Sequence, residues 1–146
     1  MTAAAVLVRL AAASRAAVEV RSGADGGSGA GDVTATTDGG AVVLAEAGTW
    51  TPAGARPMRW RAVSRWRAQG AALAVEHLRQ EAPARVVLDL GPDGVWAGRE
   101  PHACGADLYA VGLRIVGDAL EVTWTVSGPR KSARVVTRYG GPGLAP

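Results

Sequence analysis

"DLYAVGLRIVGDALEVTWTV", residues 107–126, decides the fold. Two runs of alternating character meet at Gly117-Asp118, a dipeptide suited to the tight turn of a β-hairpin. Successive side chains of a strand point to opposite faces. In the second run Val122, Trp124 and Val126 therefore share one face, and Glu121, Thr123 and Thr125 the other. In the first run Val111, Leu113 and Ile115 share their face with Asp107 and Tyr109. The spacing predicts two adjacent antiparallel strands with a largely apolar inner face.

The same pattern repeats outward along the chain. "DVTATT" meets "AVVLAEA" across Asp38-Gly39-Gly40, and "MRWRAVSRWRA" meets "AALAVEHLR" across Gln69-Gly70. "ARVVLDL" meets "GVWAG" across "GPDG", and "SARVVTRY" closes the series. With an edge strand over residues 15–21 this makes about nine or ten strands, an antiparallel meander. A sheet of that size curls into a closed barrel, which removes its exposed edges. Residues 22–32, "SGADGGSGAGD", read as a flexible glycine-rich loop. The opening "MTAAAVLVRLAAAS" reads as a short helix. It has no basic n-region, and Arg9 and Arg15 interrupt the apolar run, which argues against a signal peptide. The whole chain, residues 1–146, is expected to form one domain.

Composition narrows the class. Apolar residues make up 48% and charged residues 20%, the ordinary balance of a soluble globular protein. One cysteine excludes an internal disulfide framework and a cysteine-based zinc site, and fits a cytoplasmic location. A net charge of +3 permits anionic partners without requiring them. Arg59, Arg61, Arg65 and Arg67 invite a nucleic-acid reading, but alternation sets them opposite Trp60, Ala62, Ser64 and Trp66. Arginines and indoles on opposite faces cannot form one stacking platform. Neither nucleic acid nor membrane is an expected partner, no metal-ligand spacing is present, and no cofactor is expected. The oligomeric state stays open, a homodimer included.

The inner faces are not purely apolar. Trp60, Trp66, Trp124, Tyr109 and Tyr139 supply aromatic walls, and His77 shares its face with Leu73 and Val75. Asp107 points the same way, as does Lys131 if the last strand begins early enough to include it. Ionisable groups in a filled core cost several kcal/mol unless paired or wet. A barrel of eight or more strands can hold a ligand cavity instead. Two readings stand for each polar cluster. His102 and Cys104 are either a loop carrying a small thiol or part of a pocket lining. Asp107 and Lys131 either tie strand ends together or join Tyr109 and His102 as an acid–base set. His77 is either a hydrogen-bonded core histidine or an axial haem ligand.

Two motifs extend this reading. His102, Cys104, Asp107 and Tyr109 form H-x-C-x-x-D-x-Y. Trp124, Val126, Gly128, Pro129 and Lys131 form W-x-V-x-G-P-x-K, followed by a final strand ending in Tyr139. Together they resemble an uncharacterised family of small bacterial and fungal domains with a calycin-like, lipocalin-like barrel. "SGPRKSA" is also similar to the closing strand of the barrel cyclases that form spirotetronate rings by intramolecular cycloaddition. These resemblances imply a single antiparallel calycin-like β-barrel with a short N-terminal helix. The expected function is a cofactor-independent cyclase or isomerase of secondary metabolism acting on a polycyclic or polyketide-like molecule. Asp107, Tyr109, Lys131 and His102 are the candidate catalytic residues. Trp60, Trp66, His77, Trp124, Tyr139 and Cys104 would bind the substrate. The alternative is a non-catalytic carrier of a hydrophobic ligand.

Overall fold

The computed structural model describes residues 1–78 and 83–145. Its elements run α1 (Ala3–Ala11), β1 (Arg15–Ser22), β2 (Asp25–Asp38), β3 (Ala41–Pro52), β4 (Met58–Gln69), β5 (Ala72–Leu78), β6 (Ala84–Leu90), β7 (Trp96–Gly98), β8 (His102–Cys104), β9 (Asp107–Val116), β10 (Ala119–Ser127) and β11 (Ser132–Gly140). Strands β1 to β7 pair in order, β7 pairs with β9, and β9, β10 and β11 follow, all antiparallel. β8 is an extra strand on the first residues of β9, matching His102 to Tyr109 and Cys104 to Asp107. The other ten strands form a closed barrel, the all-β architecture that the alternation predicts. Each of the four anticipated turns joins consecutive strands. Arg79, at the end of the anticipated run "AALAVEHLR", lies outside the described residues.

Two expectations need correction. β1 is not an edge: Arg15 pairs with Asp32 of β2 on one side and with Gly140 of β11 on the other, which closes the barrel. Nor is the glycine-rich stretch a loop, since from Asp25 onward it belongs to β2 and pairs residue for residue with β1. The cause lies across the sheet. Gly29 stands opposite Trp50 and Gly31 opposite Gly48. A Cβ on Gly29 would strike the backbone carbonyl of Thr49 and the Cα and Cβ of Trp50, and one on Gly48 would strike the Trp60 ring. The glycines form a flat shelf against which the β3 backbone lies, with the Trp50 ring over Gly27 and the Trp60 ring over Gly48, so composition that suggests flexibility is space left for close approach.

Helix α1 seals one end of the barrel. Thr2 caps it, its hydroxyl accepting from the Ala5 amide at 3.2 Å. Val6 and Leu10 are fully buried, in one cluster with Val33, Val42, Leu44, Leu120 and Tyr139. These residues come from the strand ends at which β1 starts and β11 finishes. Replacing Leu10 by Ala leaves a void that neighbouring strands cannot fill. The expected cost is about 2–5 kcal/mol, read as a lower urea midpoint at unchanged slope.

Arginines populate the outer surface beside acidic partners. Glu121 on β10 is buried between Arg114 at 2.7 Å and Arg138 at 3.3 Å. Burial alone would raise its pKa, but the hydrogen bonds from the two guanidinium groups outweigh that and hold it below the ordinary value. Glu76 on β5 sits likewise between Arg85 at 3.3 Å and Arg67 at 3.9 Å, and Arg65 meets Asp38 at 3.4 Å. The two three-strand charge ladders pair Arg67, Arg85, Arg114 and Arg138, four of the fifteen arginines, with acidic residues of the chain itself. Among the described residues, no helix is long and apolar enough to cross a membrane.

Candidate functional site

The helix fills one end of the barrel, and a cavity of about 230 Å³ occupies the other. Its wall is built from inner-face residues of seven strands. β1 gives Val18 and Val20; β3 gives Glu46 and Trp50; β4 gives Trp60, Ala62, Ser64 and Trp66. β5 adds His77, β9 Tyr109, β10 Trp124 and Val126, and β11 Val135, Thr137 and Tyr139. Four of the five tryptophans therefore face one small space. The Trp66 indole donates to Ser64 Oγ at 3.0 Å, which satisfies its only donor. The His77 and Trp124 rings meet edge to face at 5.6 Å.

Among the described residues, Glu46 is the one acidic residue in this lining. It is 7% exposed, and Tyr139 donates its hydroxyl to Glu46 Oε2 at 2.8 Å. Burial, which disfavours the charged form, pushes the Glu46 carboxyl up to about 7; the hydrogen bonds from Tyr139 and Trp60 act in the opposite direction and only partly offset it. Tyr139 in turn lies well above the usual phenol range. Its own burial is the main cause, and the neighbouring carboxylate adds to it, while a hydrogen bond with Thr137 opposes the shift. Near neutrality the phenol therefore stays protonated and donates, while the carboxyl exchanges between its protonated and ionised forms. Such a carboxyl can both accept and return a proton at neutral pH.

Removal of the Tyr139 hydroxyl tests this coupling. Tyr139→Phe deletes a hydrogen bond that lowers the Glu46 pKa, so Glu46 should titrate above about 7. Carboxyl-carbon NMR titration reads the shift, and an unchanged or lower value would show that the phenol does not act on the carboxyl.

Six of the residues expected from sequence line the cavity: Trp60, Trp66, His77, Trp124, Tyr109 and Tyr139. Four do not. His102 is half-buried, its ring 6.4 Å from that of Tyr109, and Cys104 is exposed. The Asp107 carboxylate rests on the backbone of Gly128, so closely that a Cβ there would collide with it. Asp107 thereby props the turn between β10 and β11. Lys131 is exposed in that turn, because β11 starts only at Ser132 and the parity that would aim Lys131 inward never applies. Glu46 and Trp50 complete the site unanticipated, although a signal was present: in "AVVLAEA", Glu46 shares its face with Val42 and Leu44. Among the described residues, no group of three or more potential ligand side chains could hold a metal ion.

No curated protein and no solved structure matches the chain. The model of a family of unknown function, DUF6314, matches residues 12–140, a span that takes in all eleven strands and hence every residue of the cavity wall. An uncharacterised small-barrel family is what the C-terminal motifs suggest, and the chain belongs to the family of unknown function DUF6314.

Proposed function

We propose that the barrel binds a hydrophobic small molecule in its lumen and acts on it as a cofactor-independent isomerase or cyclase, with Glu46 as the proton-transferring group. The observation that carries this reading is a carboxyl buried among indoles, hydrogen-bonded by Tyr139 and titrating at about 7. For an isomerisation, the Glu46 carboxylate takes a proton from a carbon next to a polarised group. The electron pair shifts into the substrate, and the same proton returns at another carbon. Tyr109, the one candidate catalytic residue from sequence that lines the lumen, offers a phenolic donor for the polarised group. For a ring closure, the tryptophan walls hold the substrate folded and lower the entropic part of the barrier. A cavity of about 230 Å³ falls below the roughly 300–1,000 Å³ of sites for drug-sized ligands. The reading therefore favours a compact substrate over a polycyclic one.

Deuterium uptake from D2O at the α-carbon of β-tetralone, followed by proton NMR, tests the chemistry without knowledge of the natural substrate. Wild type should exceed the solution rate, and Glu46→Gln should lose about 10²–10⁴-fold of that gain. Tyr109→Phe should lose part of it, whereas Lys131→Met should leave it intact. Exchange that survives Glu46→Gln would remove Glu46 from the mechanism. Binding of the ketone without exchange would turn the reading to a non-catalytic carrier.

A further inference from the structure

We infer that the lumen selects a compact ligand whose polar end is a cationic nitrogen, seated on the Glu46 carboxylate among the indoles of Trp50, Trp60 and Trp124. The inference rests on the reading of the lumen as a ligand site and names the chemistry of its occupant. Three observations converge on it. The first is charge: among the described residues, Glu46 lines the cavity and neither lysine nor arginine does. A ligand carboxylate or phosphate would bring like charge against a buried anion, with no lysine or arginine among the described lining residues to offset it. The second is the wall. Trp has the strongest cation–π face of the side chains, attracting ammonium groups within about 6 Å of the ring centroid. Four indoles around one small cavity make a medium in which a cation is better solvated than in an aliphatic pocket. The third is hydrogen-bond capacity. A carboxylate has about four lone-pair sites. Tyr139 and Trp60 supply two donors, which leaves acceptor capacity for a group that arrives as a donor.

Arg130 and Lys131 lie in the turn at the open end and carry the opposite sign. Both are exposed to bulk solvent, where charges are screened within about 8–10 Å. They bear on the rate of entry, while the lining determines what stays bound. Among the described residues, His77, Tyr109 and Tyr139 are the other titratable groups of the lining.

Three probes of one framework separate charge from shape: phenethylamine, phenethyl alcohol and hydrocinnamate. They are titrated into the protein by calorimetry at a pH well above the Glu46 value of about 7. The amine should bind about tenfold tighter than the alcohol, about 1.4 kcal/mol, and hydrocinnamate should bind weakest. Glu46→Gln should cancel the advantage of the amine over the alcohol, and continued binding of the alcohol to the variant shows that the cavity is intact. Equal binding of amine and hydrocinnamate, or an amine advantage that survives Glu46→Gln, would overturn the inference. Binding of the alcohol with no preference for the amine sinks only the ligand class, and the lumen stands as a binding site. If none of the three binds or alters tryptophan fluorescence, the reading of the lumen falls with it.

Discussion

Above pH 7, the Glu46→Gln variant should be more stable than wild type by about 3 kcal/mol, and its stability should be nearly flat with pH where that of wild type falls. The sign follows from proton linkage. In the unfolded chain Glu46 titrates at its ordinary 4.5, and in the folded barrel at about 7. Between those values the folded state holds a proton that the unfolded state has released, so raising the pH favours unfolding. A displacement from 4.5 to about 7, at about 1.4 kcal/mol per tenfold change in proton affinity, amounts to about 3 kcal/mol. That stability is fully present below pH 4.5 and is lost as the pH rises through 7. Glutamine imitates the protonated acid and its amide oxygen still accepts from Tyr139, so the variant keeps the low-pH stability throughout. Urea unfolding at a series of pH values checks this. Parallel curves for the two proteins would mean that Glu46 ionises in the fold as it does in water.

The second large effect concerns the glycine shelf. Gly29→Ala should destabilise the barrel by about 3 kcal/mol, at the upper end of what overpacking costs, and Gly29→Val should prevent folding. An added methyl group ordinarily helps a strand, since glycine costs about 0.5–1 kcal/mol of backbone entropy relative to alanine. Here the atoms in its way are the Thr49 carbonyl and the Cα of Trp50. Backbone atoms of a paired strand cannot step aside without breaking the β2–β3 ladder, so sterics outweigh entropy. Gly141→Ala is the matched control, because nothing lies within 4 Å of a Cβ built there, and its effect should stay within about 0.5 kcal/mol. Equal urea midpoints for the two alanine variants would refute the shelf. Gly48→Ala adds a ring clash to a backbone one: its methyl meets the Trp60 ring as well as the Ala30 carbonyl, and should reduce phenethyl alcohol affinity along with stability.

Strand periodicity made most of the barrel readable. Each inward set, such as Val122, Trp124 and Val126 or Trp60, Ser64 and Trp66, follows from parity alone, and the turns mark where parity restarts. What periodicity lacks is the partner strand. Residues 25–32 read as a loop because the reason for the glycines, the backbone of β3 and the Trp50 ring, lies on the partner strand. Asp107 and Lys131 looked paired on one inner face, but a strand start one residue later leaves Lys131 in solvent, and Asp107 buttresses a turn. Reactive residue types crowd into "PHACGADLY", which draws attention to His102 and Cys104. The carboxyl that lines the cavity is instead a single glutamate in an otherwise plain alternating strand, and its environment depends on Tyr139, far away in sequence.

The pairing of β1 with β11 has a consequence for how the molecule assembles. Arg15 meets Gly140 almost a full chain length away, and contacts of such separation are slow to form. The meander from β1 to β10 can zip up through local hairpins, but the seam waits for the final strand. That strand carries Thr137 and Tyr139, so the carboxyl on β3 meets its phenol only when the seam shuts. In the unfolded chain Glu46 is open to water and titrates at its ordinary 4.5. Between pH 4.5 and about 7, closing the barrel therefore draws a proton from solution as its last event. A stopped-flow refolding trace with a pH indicator would show proton uptake in the slowest phase, and truncation before β11 would abolish it.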